Sequence, residues 1–150
     1  MIMIRKLLLV IAIGMMVLAL IDCKSGGDPA PDEKEVQLGK LTANWKCSGA
    51  VRDGVAQTGY DNFQVTISGT PGAETFNYST TGRPALSPWP ATGTWSFGTN
   101  VSTDMLRDSS LPVTYSATDS QLQLTFQFSQ AGFPGRTEVV TGQWVFSFSK

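Results

Sequence analysis

Residues 121–129 read QLQLTFQFS, with Leu122, Leu124, Phe126 and Phe128 alternating with polar side chains. Successive side chains of a strand point to opposite faces, so this segment separates its apolar and polar residues only when extended. The same period of two recurs along the chain. NWKCSGAV groups Trp45, Cys47, Gly49 and Val51 against Asn44, Lys46, Ser48 and Ala50. FQVTI groups Phe63, Val65 and Ile67, TFNYST pairs Phe76 with Tyr78, and TGTWSFG pairs Trp95 with Phe97. LPVTYSA offers Leu111, Val113, Tyr115 and Ala117, and GQWVFSFSK closes with Trp144, Phe146 and Phe148. DMLRD, at 104–108, reads as a short edge strand. Turn signals separate these runs at Arg52-Asp53-Gly54, Gly69–Gly72, Asp119-Ser120 and Ala131–Gly135.

The reading is therefore all-β, with about eight strands that each carry one apolar face. Such strands suit an antiparallel up-and-down meander closed into a barrel; a two-sheet β-sandwich is the alternative. Closure has the further merit of removing exposed edges.

The stretch GRPALSPWPATG holds Pro84, Pro88 and Pro90, which have no N–H to give a ladder, and reads as a long loop. Trp89 sits between two of these prolines. A loop tryptophan is either a lid or contact residue or a plug packed under the barrel end. Arg83 lies in the same loop and Arg107 follows the DMLRD strand; each either meets an anionic group or caps the barrel. The inward rings, among them Trp45, Trp95 and Phe126, either fill the interior or line a pocket within it. Trp89, Arg83, Tyr78, Trp95 and Arg107 are thus the candidates for contact with a ligand or partner.

The N-terminus gives the address. Arg5 and Lys6 precede an uncharged apolar run, LLLVIAIGMMVLALI, over 7–21. That is the length of a signal-peptide core and short of the roughly 20 residues a membrane span needs. Leu20-Ile21-Asp22-Cys23 then resembles the lipobox of bacterial lipoproteins, with Asp22 departing from the usual Gly, Ala or Ser. The resemblance implies cleavage before Cys23 and acylation of its sulfur. An uncleaved signal anchor, and plain secretion with Cys23 paired to Cys47, are the other readings. The chain divides into a signal peptide over 1–22, a flexible polar linker over 23–36 and a barrel domain over 37–150.

Several stretches of the domain carry a second resemblance. LTANWK looks like the L-x-G-x-W that opens lipocalins, with Ala43 in place of the usual Gly. WPATGTWSF, the LRDSS–TFQFS run and GQWVFSF are similar to lipocalin-like domains of Bacteroidota-type lipoproteins, covering about residues 36–150. This implies an up-and-down barrel and a small apolar ligand.

The chemistry on offer is sparse. The chain has no His, which excludes Ser-His-Asp and Cys-His catalysis and His-containing zinc sites. Cys47 reads as a small buried hydrophobe. Asp53, Asp61, Asp104, Asp108, Asp119 and Glu138 fall mostly in turns or at strand ends, where carboxylates bond nearby backbone. Beyond residue 22 nine Lys and Arg face eleven Asp and Glu, a net charge of −2 that gives nucleic acid no footprint. No catalytic residue, metal ligand or cofactor is expected. The expected function is a non-enzymatic, lipid-anchored envelope protein facing the periplasm or the cell surface. It would touch the membrane through Cys23 and bind a small apolar ligand or an envelope protein. The alternative is a structural or interaction module with a filled barrel.

Overall fold

Ten residues of one strand decide the architecture, because they pair along both of their edges. In the computed structural model, which describes residues 30–129 and 140–150, this strand is β1, Ala43–Arg52. Its first part, Ala43–Lys46, pairs with Gln64–Ile67 of β3 (Gln64–Ser68), and its later part, Lys46–Arg52, pairs with Trp144–Ser149 of β9 (Gly142–Ser149). Between them run β4 (Phe76–Thr81), β5 (Thr92–Phe97), β6 (Asp104–Arg107), β7 (Leu111–Ala117) and β8 (Gln121–Phe128), each antiparallel to the next. The result is a closed eight-stranded antiparallel barrel, and the sandwich alternative falls with the β1–β9 ladder. An additional two-residue strand, β2 (Val55–Ala56), folds back on β1. The Asp53-Gly54 turn between them takes φ of +49° and +81°, the pair of positive values that a two-residue hairpin turn needs.

Two expectations about the strands are corrected. The register of β1 shifts between Cys47 and Gly49, a β-bulge. An extra residue there swaps the faces beyond it. Trp45 points in as expected, but after the bulge Ala50 is buried and Val51 only half-buried. Cys47 is half-buried beside the core rather than within it, and burial pushes its thiol pKa up. The DMLRD segment is not an edge strand: β6 pairs with β5 through Trp95↔Arg107 and with β7 through Asp104↔Thr114.

A helix, α1 (Glu33–Leu41), precedes the barrel, so the linker boundary at 36 falls inside a helix, and the compact unit runs from Pro31 to Lys150. Asp32 caps it by accepting from the Lys34 N–H at 3.0 Å. Glu33 and Glu35 in its first turn and Lys40 in its last suit the helix dipole. Leu38 and Leu41 are its buried residues, and the Leu41 carbonyl accepts from Trp45 Nε1 at 2.8 Å. Gly69 leaves room for this packing, since a Cβ there would lie 2.5 Å from Leu38 Cδ1. The residues named at 1–22, Cys23, the Ala131–Gly135 turn and Glu138 lie outside the described residues.

The interior is packed with rings. Phe146 stacks on Trp144 at a centroid distance of 5.3 Å and on Phe148 at 6.0 Å. Phe63 and Tyr60 meet the same ring at 5.7 and 5.2 Å. If α1 is part of the fold rather than the end of a tether, Leu41→Ala will cost about 2–5 kcal/mol of stability. Val36→Ser, on the exposed side, will stay within about 0.5 kcal/mol. Denaturant titration of both variants checks this; equal, small effects would show that α1 does not stabilise the barrel.

Candidate functional site at the barrel mouth

The proline-rich loop does not arch over the barrel; it dips into it. Trp89 is 3% exposed, and its ring lies 5.6 Å from Tyr78 on β4 and 5.6 Å from Phe126 on β8. In the strand order these two strands stand on opposite walls, so the indole bridges the interior. Its other neighbours are Phe63 and Phe146. Of the two roles open to a loop tryptophan, the structure gives Trp89 the plug.

Prolines donate nothing to a ladder, but their carbonyls anchor the loop. Thr80 Oγ1 donates to the Pro90 carbonyl at 2.7 Å, and the Thr80 N–H donates to Ala91 at 2.8 Å. Arg107 Nη2 donates to the Pro88 carbonyl at 2.9 Å. Arg83, exposed at the rim, reaches the Trp89 carbonyl at 3.4 Å.

Arg107 is the unusual member. It is 4% exposed, and its guanidinium carbon lies 4.5 Å from the Trp89 ring centre and 4.7 Å from that of Phe126. Cation–π attraction of this kind offsets part of the desolvation of the charge. Burial lowers the guanidinium pKa, opposed by Tyr78 and Asp108. Asp108 Oδ2 is 3.4 Å from Nε, yet neither Nε nor Nη1 has a hydrogen-bond partner among the described residues. The carboxylate is engaged elsewhere: Oδ2 accepts from Tyr78 Oη at 2.7 Å and Oδ1 from the Thr94 N–H at 3.0 Å.

The turn that delivers Asp108 is strained. Asp108 and Ser109 have φ of +52° and +57°, a region that non-glycine residues seldom enter. Gly93 opposite is required by close approach, since a Cβ there would come within 2.1 Å of Asp108 Oδ1 and 2.4 Å of Tyr78 Oη. Beside these groups opens a recess of about 440 Å³, whose walls include Arg83, Ser87, Arg107, Asp108, Leu111 and Phe128. Nearby the β7–β8 ladder stops at Thr114↔Thr125, and a groove of about 840 Å³ runs past Pro112, Val113, Phe126 and Gln127.

Four of the five sequence candidates thus meet: Trp89, Arg83, Tyr78 and Arg107. Trp95 is the cross-strand neighbour of Arg107, but its ring packs on Phe76 at 4.5 Å and on Phe97 at 5.2 Å. Asp108, read from sequence as a turn carboxylate, is also the counter-charge of the site; its place directly after Arg107 was the available signal. Two of the other turn carboxylates bond backbone: Asp53 Oδ1 accepts from the Gln143 N–H at 2.8 Å, and Asp104 Oδ2 from the Asn100 N–H at 3.4 Å. Compared with known families, curated proteins and solved structures, the chain matches none.

All three tyrosines have pKa values above the ordinary phenol, with burial the first cause in each case. Tyr78 is raised further by its bond to Asp108. Tyr115, whose hydroxyl donates to the Val101 carbonyl, is pushed up to about 12 by burial and then by Glu33 and Asp104. A phenol near 10 in the unfolded chain and higher in the folded one contributes stability that is complete below about pH 10. That contribution disappears as the pH rises toward the folded value. Denaturant midpoints should therefore fall between about pH 10 and 12, and Tyr115→Phe should flatten the fall. Phenolate absorbance appearing below pH 10 in protein that keeps its near-ultraviolet dichroism would contradict this. At the site itself, Gly93→Ala should cost about 1–3 kcal/mol in denaturant titration by wedging Tyr78 from Asp108; an unchanged midpoint would mean the two groups are not held as described.

Proposed function

We propose that this chain is a bacterial cell-envelope lipoprotein, cleaved before Cys23, acylated there, and facing the periplasm or the cell surface. Its lipocalin-like barrel binds and does not catalyse. The N-terminal half of the reading rests on the apolar run over 7–21, the Cys23 that closely follows it, and the polar stretch beyond. Each acyl CH₂ buried in a bilayer contributes about 0.8 kcal/mol, and two chains hold a protein firmly.

The observation that carries the binding half is the position of Trp89. Bridging opposite walls, it takes the space that a central ligand would need. A small ligand then belongs at the mouth, in the recess that Arg107 and Leu111 help to form. The ring-filled interior also favours a second reading, a structural or protein-interaction module without a ligand. Native mass spectrometry of protein purified from membranes separates them. The expected species begins at Cys23, carries acyl chains, and retains an additional small mass. A mass that includes residues 1–22 would end the lipoprotein reading, and acylated protein with no retained mass would favour the module.

A further inference from the structure

We propose that the mouth recess is a site for one planar monoanion, a carboxylate carried on a small apolar body, read by Arg107 and Arg83. The inference rests on the mouth, rather than the barrel centre, being where a ligand binds.

The argument starts from unspent donors. A guanidinium offers five N–H groups in one plane and cannot shed its charge. Of these, one Nη2 bond goes to Pro88, while Nε and Nη1 have no hydrogen-bond partner among the described residues. Buried donors are almost always paired, and a buried charge left half-satisfied costs several kcal/mol. Asp108 does not complete the set: its oxygens accept from Tyr78 and the Thr94 N–H, and no hydrogen bond forms to Nε. Its Oδ2 stands off at 3.4 Å from Nε.

The charge balance fixes the valence. Two guanidinium groups and one carboxylate border the recess, leaving one positive charge in excess. A monoanion neutralises it, whereas a dianion would leave the recess with a net negative charge. The donor geometry fixes the shape. The Arg107 guanidinium is held by two rings and the Pro88 carbonyl with its Nε edge toward Asp108, so its plane is fixed in advance and the Nη1–Nη2 end is the edge a carboxylate can take. The remaining walls include Pro88, Pro90, Leu111 and Phe128, which suit an apolar body. At about 440 Å³ the recess falls within the usual size of small-molecule sites.

The test is calorimetric titration of the full chain in nonionic detergent with benzoate, its neutral isostere benzamide, and phenyl phosphate. Benzoate should bind saturably, with benzamide at least about tenfold weaker, as expected for loss of a charge-assisted hydrogen bond. Phenyl phosphate should bind no more tightly than benzoate. Arg83→Gln, at an exposed position, should weaken benzoate about two- to fivefold and leave benzamide unchanged. Arg107→Lys, which keeps the charge and loses the fork, should weaken benzoate about tenfold or more in protein shown to be folded; the Arg83 variant decides the matter if it is not. Equal binding of benzoate and benzamide would overturn the carboxylate while leaving a mouth ligand in place. Tighter phenyl phosphate would overturn the monoanion. If none of the three binds, the inference falls, and a mass retained in the native spectrum still upholds the chain as a ligand binder.

Discussion

The barrel depends on β1 being shared. A strand paired on one side ends a sheet; a strand paired on both sides, with the first and last neighbours in sequence order, closes it. The bulge at Cys47–Gly49 lies where β1 changes partners, since Lys46 pairs with both β3 and β9 and the residues beyond it pair with β9. Bulges bend a strand and increase its local twist, which a small barrel needs in order to curve back on itself. Closure then creates an enclosed space, and large rings occupy it. Once Phe63, Phe126 and Phe146 point inward from different walls, the space left among them is shaped for one more aromatic side chain. Trp89 supplies it from a loop.

This filling gives the charged group its setting. An arginine with 4% of its surface exposed would be untenable alone. Here the Trp89 and Phe126 rings, the Pro88 carbonyl and the Asp108 carboxylate each offset part of the cost. The same residues that seal the barrel therefore hold the guanidinium, and the plug and the charge are one construction. A site assembled in this way sits on rigid parts: two strands, an anchored loop and a strained turn.

Much of the architecture was legible because strands with one wet face write their period into the chain. QLQLTFQFS and GQWVFSFSK announce β8 and β9 residue by residue, and Asp53-Gly54 announces its hairpin. The bulge in β1 was not legible, because Ser48 looks like any outward residue until the partner register is known. Helix α1 was hidden by its shortness: two buried leucines and a polar remainder leave no clear helical period. DMLRD looked like an edge because it is short, and its interior position is set by its neighbours rather than by its own residues. At the site, prolines marked the loop but said nothing about its direction. Arg83, Trp89 and Arg107 were recognisable as candidates by residue type and position, while their meeting depends on contacts between segments far apart in sequence. Trp95 looked equivalent to Trp89 as an aromatic candidate; only the fold separates them.

Trp89 also ties the order of assembly to the function of the mouth. Its neighbours Phe63 and Tyr78 lie earlier in the chain, but Phe126 and Phe146 come from β8 and β9, the last two barrel strands in chain order. Contacts across such distances form slowly, because the intervening chain must first give up its freedom. The indole's seat is therefore incomplete until the final strand docks beside β1. Sealing of the mouth and closing of the barrel become a single late event, and a chain truncated before β9 would carry its tryptophan plug without a complete seat.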